Sequence, residues 1–120
     1  MYKDLRVGFI DIETESENGF PSLEDPNERI NAITVENDGK RVSFALQQFD
    51  LPGVECHVFG DERSMLRAFL EYWETHYPDI ITGWNIRFFD IPYIYKRVVK
   101  LFDEKTAKRL SPIRKIQEKI

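Results

Sequence analysis

A turn signal at residues 37–40 places the strongest constraint on how this chain folds. Asn37-Asp38-Gly39-Lys40 lies between two β-rich segments, Ile30 to Glu36 and Arg41 to Leu46. Asn, Asp and Gly tolerate the backbone conformations that a tight turn between antiparallel strands requires. Val7 to Glu13 is a third candidate strand, and a polar loop from Thr14 to Arg29 follows it. The first half of the chain therefore predicts a three-stranded antiparallel meander.

The second half of the chain has a helical pattern. An apolar stripe predicts a first helix that begins at Gly60 or Asp61 and ends before Pro78; its members are Met65, Leu66, Phe69, Leu70 and Trp73. Three further elements are predicted in order: a short strand from Asp79 to Thr82, a helix from about Asp90 to Phe102, and a helical piece from Glu104 to Leu110. Cys56 to Phe59 is compatible with another short strand. The fold class is therefore mixed α/β, a meander followed by α-β-α.

Length and composition limit the class of protein. With 120 residues the chain predicts one domain, residues 1–120, and its net charge is −4. No apolar run approaches the length of about 20 residues that a membrane crossing needs, so no membrane partner is expected. The single cysteine, Cys56, excludes an internal disulfide framework, and no signal peptide is recognisable. We expect a cytoplasmic protein, in the host cell if the source is viral.

The charges are unevenly distributed along the chain. Residues 11–28 carry seven acidic side chains and no Lys or Arg, whereas residues 96–119 carry nine basic ones. The basic segment, which includes Arg97, is interpreted either as a solvated helical face or as a surface that faces DNA or a neighbouring domain.

Asp11-Ile12-Glu13 is the first chemical signal. Residues two apart on a strand share a face and have Cα atoms about 6.6 Å apart. Asp11 and Glu13 can therefore converge on divalent cations such as Mg²⁺ or Mn²⁺, which prefer oxygen ligands. Many exposed strands carry such a pair without a function. The apolar lead-in Val-Gly-Phe-Ile indicates a buried central strand, where unpaired carboxylates are costly.

The string from Thr82 to Tyr93 is the second signal, because a strand ends there, a turn follows and a helix begins. Asn85 and Asp90 are expected at the carboxyl end of that strand, where open α/β sheets usually hold ligands. Each residue also has an ordinary interpretation, Asp90 as a helix N-cap and Asn85 as a turn residue.

These strings together resemble the 3′–5′ proofreading exonuclease domain of B-family DNA polymerases, with most similarity to the T-even-type bacteriophage subgroup. Phe9-Ile10-Asp11-Ile12-Glu13 resembles the first exonuclease motif of the family, and Asn85 to Asp90 resembles the second. The subgroup is indicated by three further strings: Asn18-Gly19-Phe20-Pro21, Thr82-Gly83-Trp84-Asn85 and the segment Thr106 to Pro112. The similarity extends from about Arg6 to Pro112.

The resemblance implies a ribonuclease-H-like fold and a catalytic site with two divalent metals, Mg²⁺ or Mn²⁺. It implies that Asp11 bridges the metals, that Glu13 binds the metal activating the attacking water, and that Asp90 serves the second metal. It also implies DNA contacts from Asn85, Phe89 and Phe20; the alternative for Phe20 is an exposed loop aromatic packed by Pro21. The implied substrate is single-stranded DNA at the primer 3′ end, and the implied partners are the remaining polymerase domains or chains.

One family feature is missing from this sequence. The third exonuclease motif, Tyr-x-x-x-Asp, has no counterpart, since Tyr72 to His76 and Tyr93 to Arg97 lack the acid. We therefore expect a partial exonuclease domain, truncated at its C-terminus, with weak metal binding, poor nuclease activity alone and a tendency to self-associate. The alternative is a non-catalytic remnant or interaction module. A two-carboxylate glycosidase is disfavoured because its acids must lie on opposite sides of a sugar.

Overall fold

The computed structural model describes residues 7–15, 23–37, 39–75, 80–82 and 91–110. Its strands are β1 (Val7–Thr14), β2 (Ile30–Asn37), β3 (Lys40–Ala45), β4 (Val54–Val58) and β5 (Ile80–Thr82). Its helices are α1 (Glu62–Thr75), between β4 and β5, then α2 (Ile91–Leu101) and α3 (Glu104–Ala107), which continues into a 3-10 turn at Lys108–Leu110. No helix among these residues is long and apolar enough to cross a membrane.

The strands form one mixed sheet in the order β4-β3-β2-β1-β5. β1, β2 and β3 pair antiparallel in chain order, which confirms the predicted meander. β5 lies parallel to β1, and β4 lies parallel to β3. Asn37 pairs with Lys40 across the predicted turn, where Gly39 has φ of 79° and so uses the conformation that glycine tolerates best. The mixed α/β class is confirmed.

The helices cover one face of the sheet. All five residues of the α1 stripe are fully buried, as predicted, and they pack against apolar side chains of β1, β2 and β3. Phe44 of β3 meets Phe69 of α1 edge to face, with ring centroids 6.0 Å apart. α2 adds Tyr93, Ile94 and Val98 to the same core. The core therefore lies between the sheet and the helices, which leaves the opposite sheet face for the site.

The structure differs from the sequence-based expectations at two places. β4 begins at Val54, two residues before the predicted Cys56, because the parallel pairing with β3 starts where Val54 meets Arg41. Arg97 was predicted on a solvated or DNA-facing surface, and this is wrong: Arg97 is 8% exposed and lies within the packed interior. The helix predicted from Asp90 begins at Ile91 in the described chain, and Asp90 itself lies outside the described residues.

Candidate active site

The two faces of β1 have opposite surroundings. Ile10 is 1% exposed and belongs to the core, whereas Phe9 is 48% exposed on the other face. Asp11 and Glu13 alternate along the strand with Ile10 and Ile12, which pack in or against the core, and both carboxylates are exposed on the same face as Phe9. The predicted placement of Asp11 and Glu13 on one face of the strand is therefore confirmed. The expectation that the carboxylates lie on a buried strand is wrong for the described chain, because β1 is interior in strand order but covered by helices on one face only.

The neighbouring strands leave room beside the carboxylates. Glu13 lies opposite Ala32 of β2, which in turn lies opposite Ala45 of β3, so two small side chains form the floor next to Glu13. Asp11 lies opposite Thr34 of β2. The Thr34 hydroxyl is hydrogen-bonded to Ser43 at 2.6 Å. The sheet thus offers a shallow, partly polar surface beside Asp11 and Glu13.

This surface is the floor of an open cleft of about 1250 Å³. One wall is the segment that follows β3, and its lining members are Leu46, Gln47, Gln48, Phe49 and Leu51. β1 contributes Phe9, Asp11 and Glu13 to the lining of the cleft. A cleft of this size accommodates a ligand of several hundred cubic ångströms, the usual range for bound small molecules and cofactors.

Electrostatics distinguish the two β1 carboxylates from the other acids of the cleft. Arg29 forms an ion pair with Glu15, and Arg41 pairs with Glu36 at 2.6 Å. Within the described chain Asp11 and Glu13 have neither an ion pair nor a hydrogen bond to a side chain, so their negative charge is not neutralised by a neighbouring cation. A pair of such carboxylates attracts a divalent cation.

The donor set fits a hard divalent metal. Two carboxylates on one strand face supply the oxygen ligands that Mg²⁺ and Mn²⁺ prefer, and the open cleft leaves space for waters or a phosphate to complete the coordination shell. No group of three potential ligands occurs among the described residues. Among the described residues, Asp11 and Glu13 are therefore the candidate ligands on this face of the sheet.

The remaining predicted site residues lie outside the part of the chain that the structure describes. This applies to Asp90, predicted as a metal ligand, and to Phe20, Asn85 and Phe89, predicted as DNA contacts. The structure places Asp11 and Glu13 on one exposed strand face. Their roles as metal ligands stay predictions, as do the other four assignments.

Sequence reasoning missed a buried polar cluster between the helices and the start of β2. Arg97 binds the Glu62 carboxylate, and Tyr93 binds the backbone of Glu28. The signal was present in the two helical stripes, because Arg97 follows Tyr93 by four positions and Glu62 precedes Leu66 by four. A charged residue at a stripe position of each helix indicates a buried ion pair.

The exonuclease domain of DNA polymerase family B matches this chain over residues 3–120. The DNA-directed DNA polymerase of Escherichia phage RB69 is 33% identical over 145 aligned positions, which cover 97% of this chain and 16% of the relative. That of Enterobacteria phage T4 is 45% identical over 62 positions, 52% of this chain and 7% of the relative. The DNA polymerase catalytic subunit of Human herpesvirus 8 is 40% identical over 103 positions, 79% of this chain and 10% of the relative.

The chain spans about a sixth or less of the length of these relatives. The alignment with the RB69 polymerase is longer than the chain itself, so that relative carries insertions within the matched region. The family model nevertheless covers nearly every residue, including the β1 carboxylates and the string around Asp90. The chain therefore belongs to the exonuclease domain of family B DNA polymerases.

Proposed function

We propose that this chain forms a metal-dependent 3′–5′ exonuclease domain that hydrolyses the 3′-terminal phosphodiester of single-stranded DNA. In this role it removes nucleotides from a primer end beside the remaining domains of a DNA polymerase. The proposed fold is ribonuclease-H-like, and β1, an interior strand of the sheet, carries the proposed metal ligands. The observation that carries the proposal is the uncompensated pair Asp11 and Glu13 on the open face of β1, in a chain of this family.

Each proposed residue has a defined task. Asp11 and Glu13 hold the metals on the β1 face, and Asp90, which precedes α2 in the sequence, supplies a further carboxylate. Asn85, Phe89 and Phe20 contact the frayed strand; an aromatic ring stacks on any base, so such binding tolerates every sequence. Bound Mg²⁺ or Mn²⁺ supplies a nucleophile at neutral pH and relieves charge on the leaving oxygen.

The test is a single-turnover assay with the chain in excess over a 5′-labelled single-stranded oligonucleotide and with Mn²⁺ present. We expect a ladder of products shortened from the 3′ end, and the substitution Asp11→Ala abolishes it. Glu71→Ala is the matched control, since Glu71 is an exposed carboxylate of α1 on the opposite side of the sheet from the cleft. This control keeps the wild-type rate.

Two results contradict the proposal. Cleavage that Asp11→Ala leaves intact shows that the site lies elsewhere or that the activity is a contaminant. Binding of the oligonucleotide without shortening, at any Mn²⁺ concentration, supports the alternative of a non-catalytic interaction module. Because the chain has no counterpart of the third motif, the expected wild-type rate is low, and the single-turnover format measures it directly.

A further inference from the structure

A β-bulge lies beside the proposed metal ligand Glu13. Glu13 pairs with Ala32, but the next residue, Thr14, pairs with Ile30, so Asn31 is an extra residue in β2. Bulges bend a strand, increase its twist and redirect the neighbouring side chains. The direction of the Glu13 side chain therefore depends on what holds this bulge in place.

A buried ion pair holds the β2 side of the bulge. The backbone N–H of Ile30 donates to Oε2 of Glu62 at 2.9 Å. Arg97 donates to the same carboxylate twice, from Nε to Oε2 at 2.7 Å and from Nη2 to Oε1 at 2.6 Å. The Arg97 and Glu62 side chains are only 10% and 8% exposed. Glu62 thus accepts three hydrogen bonds, one of which fixes the first residue of β2.

Two side chains of α2, Arg97 and Tyr93, also hold the segment just before β2. Nη1 of Arg97 donates to the carbonyl of Pro26 at 2.8 Å. The Tyr93 hydroxyl donates to the Glu28 carbonyl at 2.6 Å and accepts from the Glu28 N–H at 3.1 Å. Burial raises the pKa of Tyr93, so its hydroxyl keeps the proton that it donates. Residues 26, 28 and 30 are therefore all bound by side chains of α1 and α2.

The intervening residue connects this anchored segment to the end of β1. The carbonyl of Arg29 accepts from the backbone N–H of Glu15 at 2.9 Å, and the Arg29 side chain pairs with the Glu15 carboxylate. Glu15 is two residues beyond Glu13. A continuous series of hydrogen bonds thus runs from α2 through residues 26–30 to the end of β1.

We propose that Glu62, Tyr93 and Arg97 are positioning residues for Glu13, because they fix the bulge that orients its carboxylate. This inference rests on the proposed function, in which Glu13 is a metal ligand. A buried ion pair contributes little more to stability than apolar residues of the same volume, so stability alone does not account for it. Groups that orient a metal ligand typically change metal affinity about 10- to 100-fold when they are removed.

The test is a double-mutant cycle read out as Mn²⁺ affinity, measured by titration calorimetry without DNA. Tyr93→Phe keeps the ring in the core and removes the hydroxyl that holds Glu28. We expect Tyr93→Phe to weaken Mn²⁺ binding about tenfold, and to weaken it no further when Glu13→Gln is already present. Equal losses in both backgrounds, or no loss in the wild-type background, overturn the inference.

Arg109→Gln is the matched control. It removes an Arg–Glu pair of the same 2.6 Å length, which joins α1 to the C-terminal turn away from the bulge. We expect unchanged Mn²⁺ affinity for Arg109→Gln; a loss as large as that of Tyr93→Phe shows a general effect of stability and overturns the inference. If Tyr93→Phe is unfolded at the assay temperature, the whole cycle is measured at a lower temperature at which circular dichroism shows every variant to be folded.

Amide hydrogen exchange separates this inference from the proposed function. Tyr93→Phe is expected to accelerate exchange of the Glu15 amide, whereas Arg109→Gln is not. If the exchange rate of the Glu15 amide is the same in Tyr93→Phe as in wild type, Tyr93 does not position Glu13 through residues 28–30, and the proposed function is unaffected. A wild-type chain with no affinity for Mn²⁺ refutes the proposed function, and the positioning of a metal ligand is refuted with it.

Discussion

The guanidinium group of Arg97 donates two hydrogen bonds, of 2.7 and 2.6 Å, to the two carboxylate oxygens of Glu62. This pair joins α2 to the first turn of α1 inside the protein. The hydrogen bonds to Glu62 raise the pKa of Arg97 above its already high value, so the guanidinium stays charged at every pH of interest. The charge of Arg97 is therefore compatible with burial only while Glu62 is present.

Removal of Glu62 is expected to destabilise the chain strongly. Glu62→Ala leaves the Arg97 charge buried without its carboxylate, which costs about 3–5 kcal/mol in the free energy of unfolding. Equilibrium unfolding in urea, followed by circular dichroism, measures the loss. Glu74→Ala is the control, because it breaks the exposed pair with Arg109 and is expected to cost about 1 kcal/mol or less. Similar losses in the two variants would show that burial of the Arg97 pair is unimportant.

Trp73 is expected to be the costliest core residue of α1 to remove. Its side chain is fully buried and its ring lies 5.6 Å from that of Phe69. Its indole Nε1 also donates to the Leu110 carbonyl at 3.4 Å, which joins α1 to the end of the described chain. Trp73→Ala is expected to lower the free energy of unfolding by about 3–5 kcal/mol. Leu51→Ala, at a 57% exposed side chain, is expected to stay within about 0.5 kcal/mol of wild type.

Divalent metal is expected to stabilise the folded chain through Asp11 and Glu13. A ligand that binds only the folded state adds about 2.7 kcal/mol at a concentration of 100 times its Kd. Thermal unfolding with increasing Mn²⁺ should show a rising Tm, reversed by a chelator. Asp11→Ala is expected to abolish the rise. An equal rise in Asp11→Ala would place metal binding outside the β1 site.

The start of α1 is expected to weaken at acid pH. The Asp61 carboxylate accepts a hydrogen bond from the Ser64 backbone N–H at 2.7 Å, and this bond lowers the pKa of Asp61. A lowered folded-state pKa stabilises the fold above the unfolded pKa of about 4, and this contribution is lost as the pH falls through the folded value. Asp61→Ala should therefore be less stable than wild type at pH 7, by a margin that shrinks at pH 3.

Urea unfolding at the two pH values measures the difference in the free energy of unfolding between wild type and Asp61→Ala. Asp50→Ala, which removes an exposed loop carboxylate before β4, is the control and should show no such narrowing. If the stability difference between wild type and Asp61→Ala is the same or larger at pH 3, the ionised Asp61 carboxylate is not the group that stabilises the start of α1.

The candidate site was only partly predictable. The positions of Asp11 and Glu13 on one strand face follow from the period of two along a strand, and the structure confirms it. Their exposure was not predictable, because it depends on which sheet face the helices cover. The Glu62–Arg97 pair was missed because, although each residue occupies a stripe position of its own helix, no local pattern links two partners that are 35 residues apart in the chain.

The kinds of elements and their order follow from local features of the sequence, namely hydrophobic periods of two and 3.6 and the Asn-Asp-Gly turn. How these elements pack against one another depends on contacts that the folded chain alone makes. The parallel pairing of β5 with β1 joins segments far apart in sequence, and the pairing of β4 with β3 is parallel although these strands are consecutive in the chain. The start of β2, beside the bulge at Glu13, is held by contacts from both α1 and α2. Such contacts form only when distant surfaces are buried together, so their energy is a property of the whole packed chain.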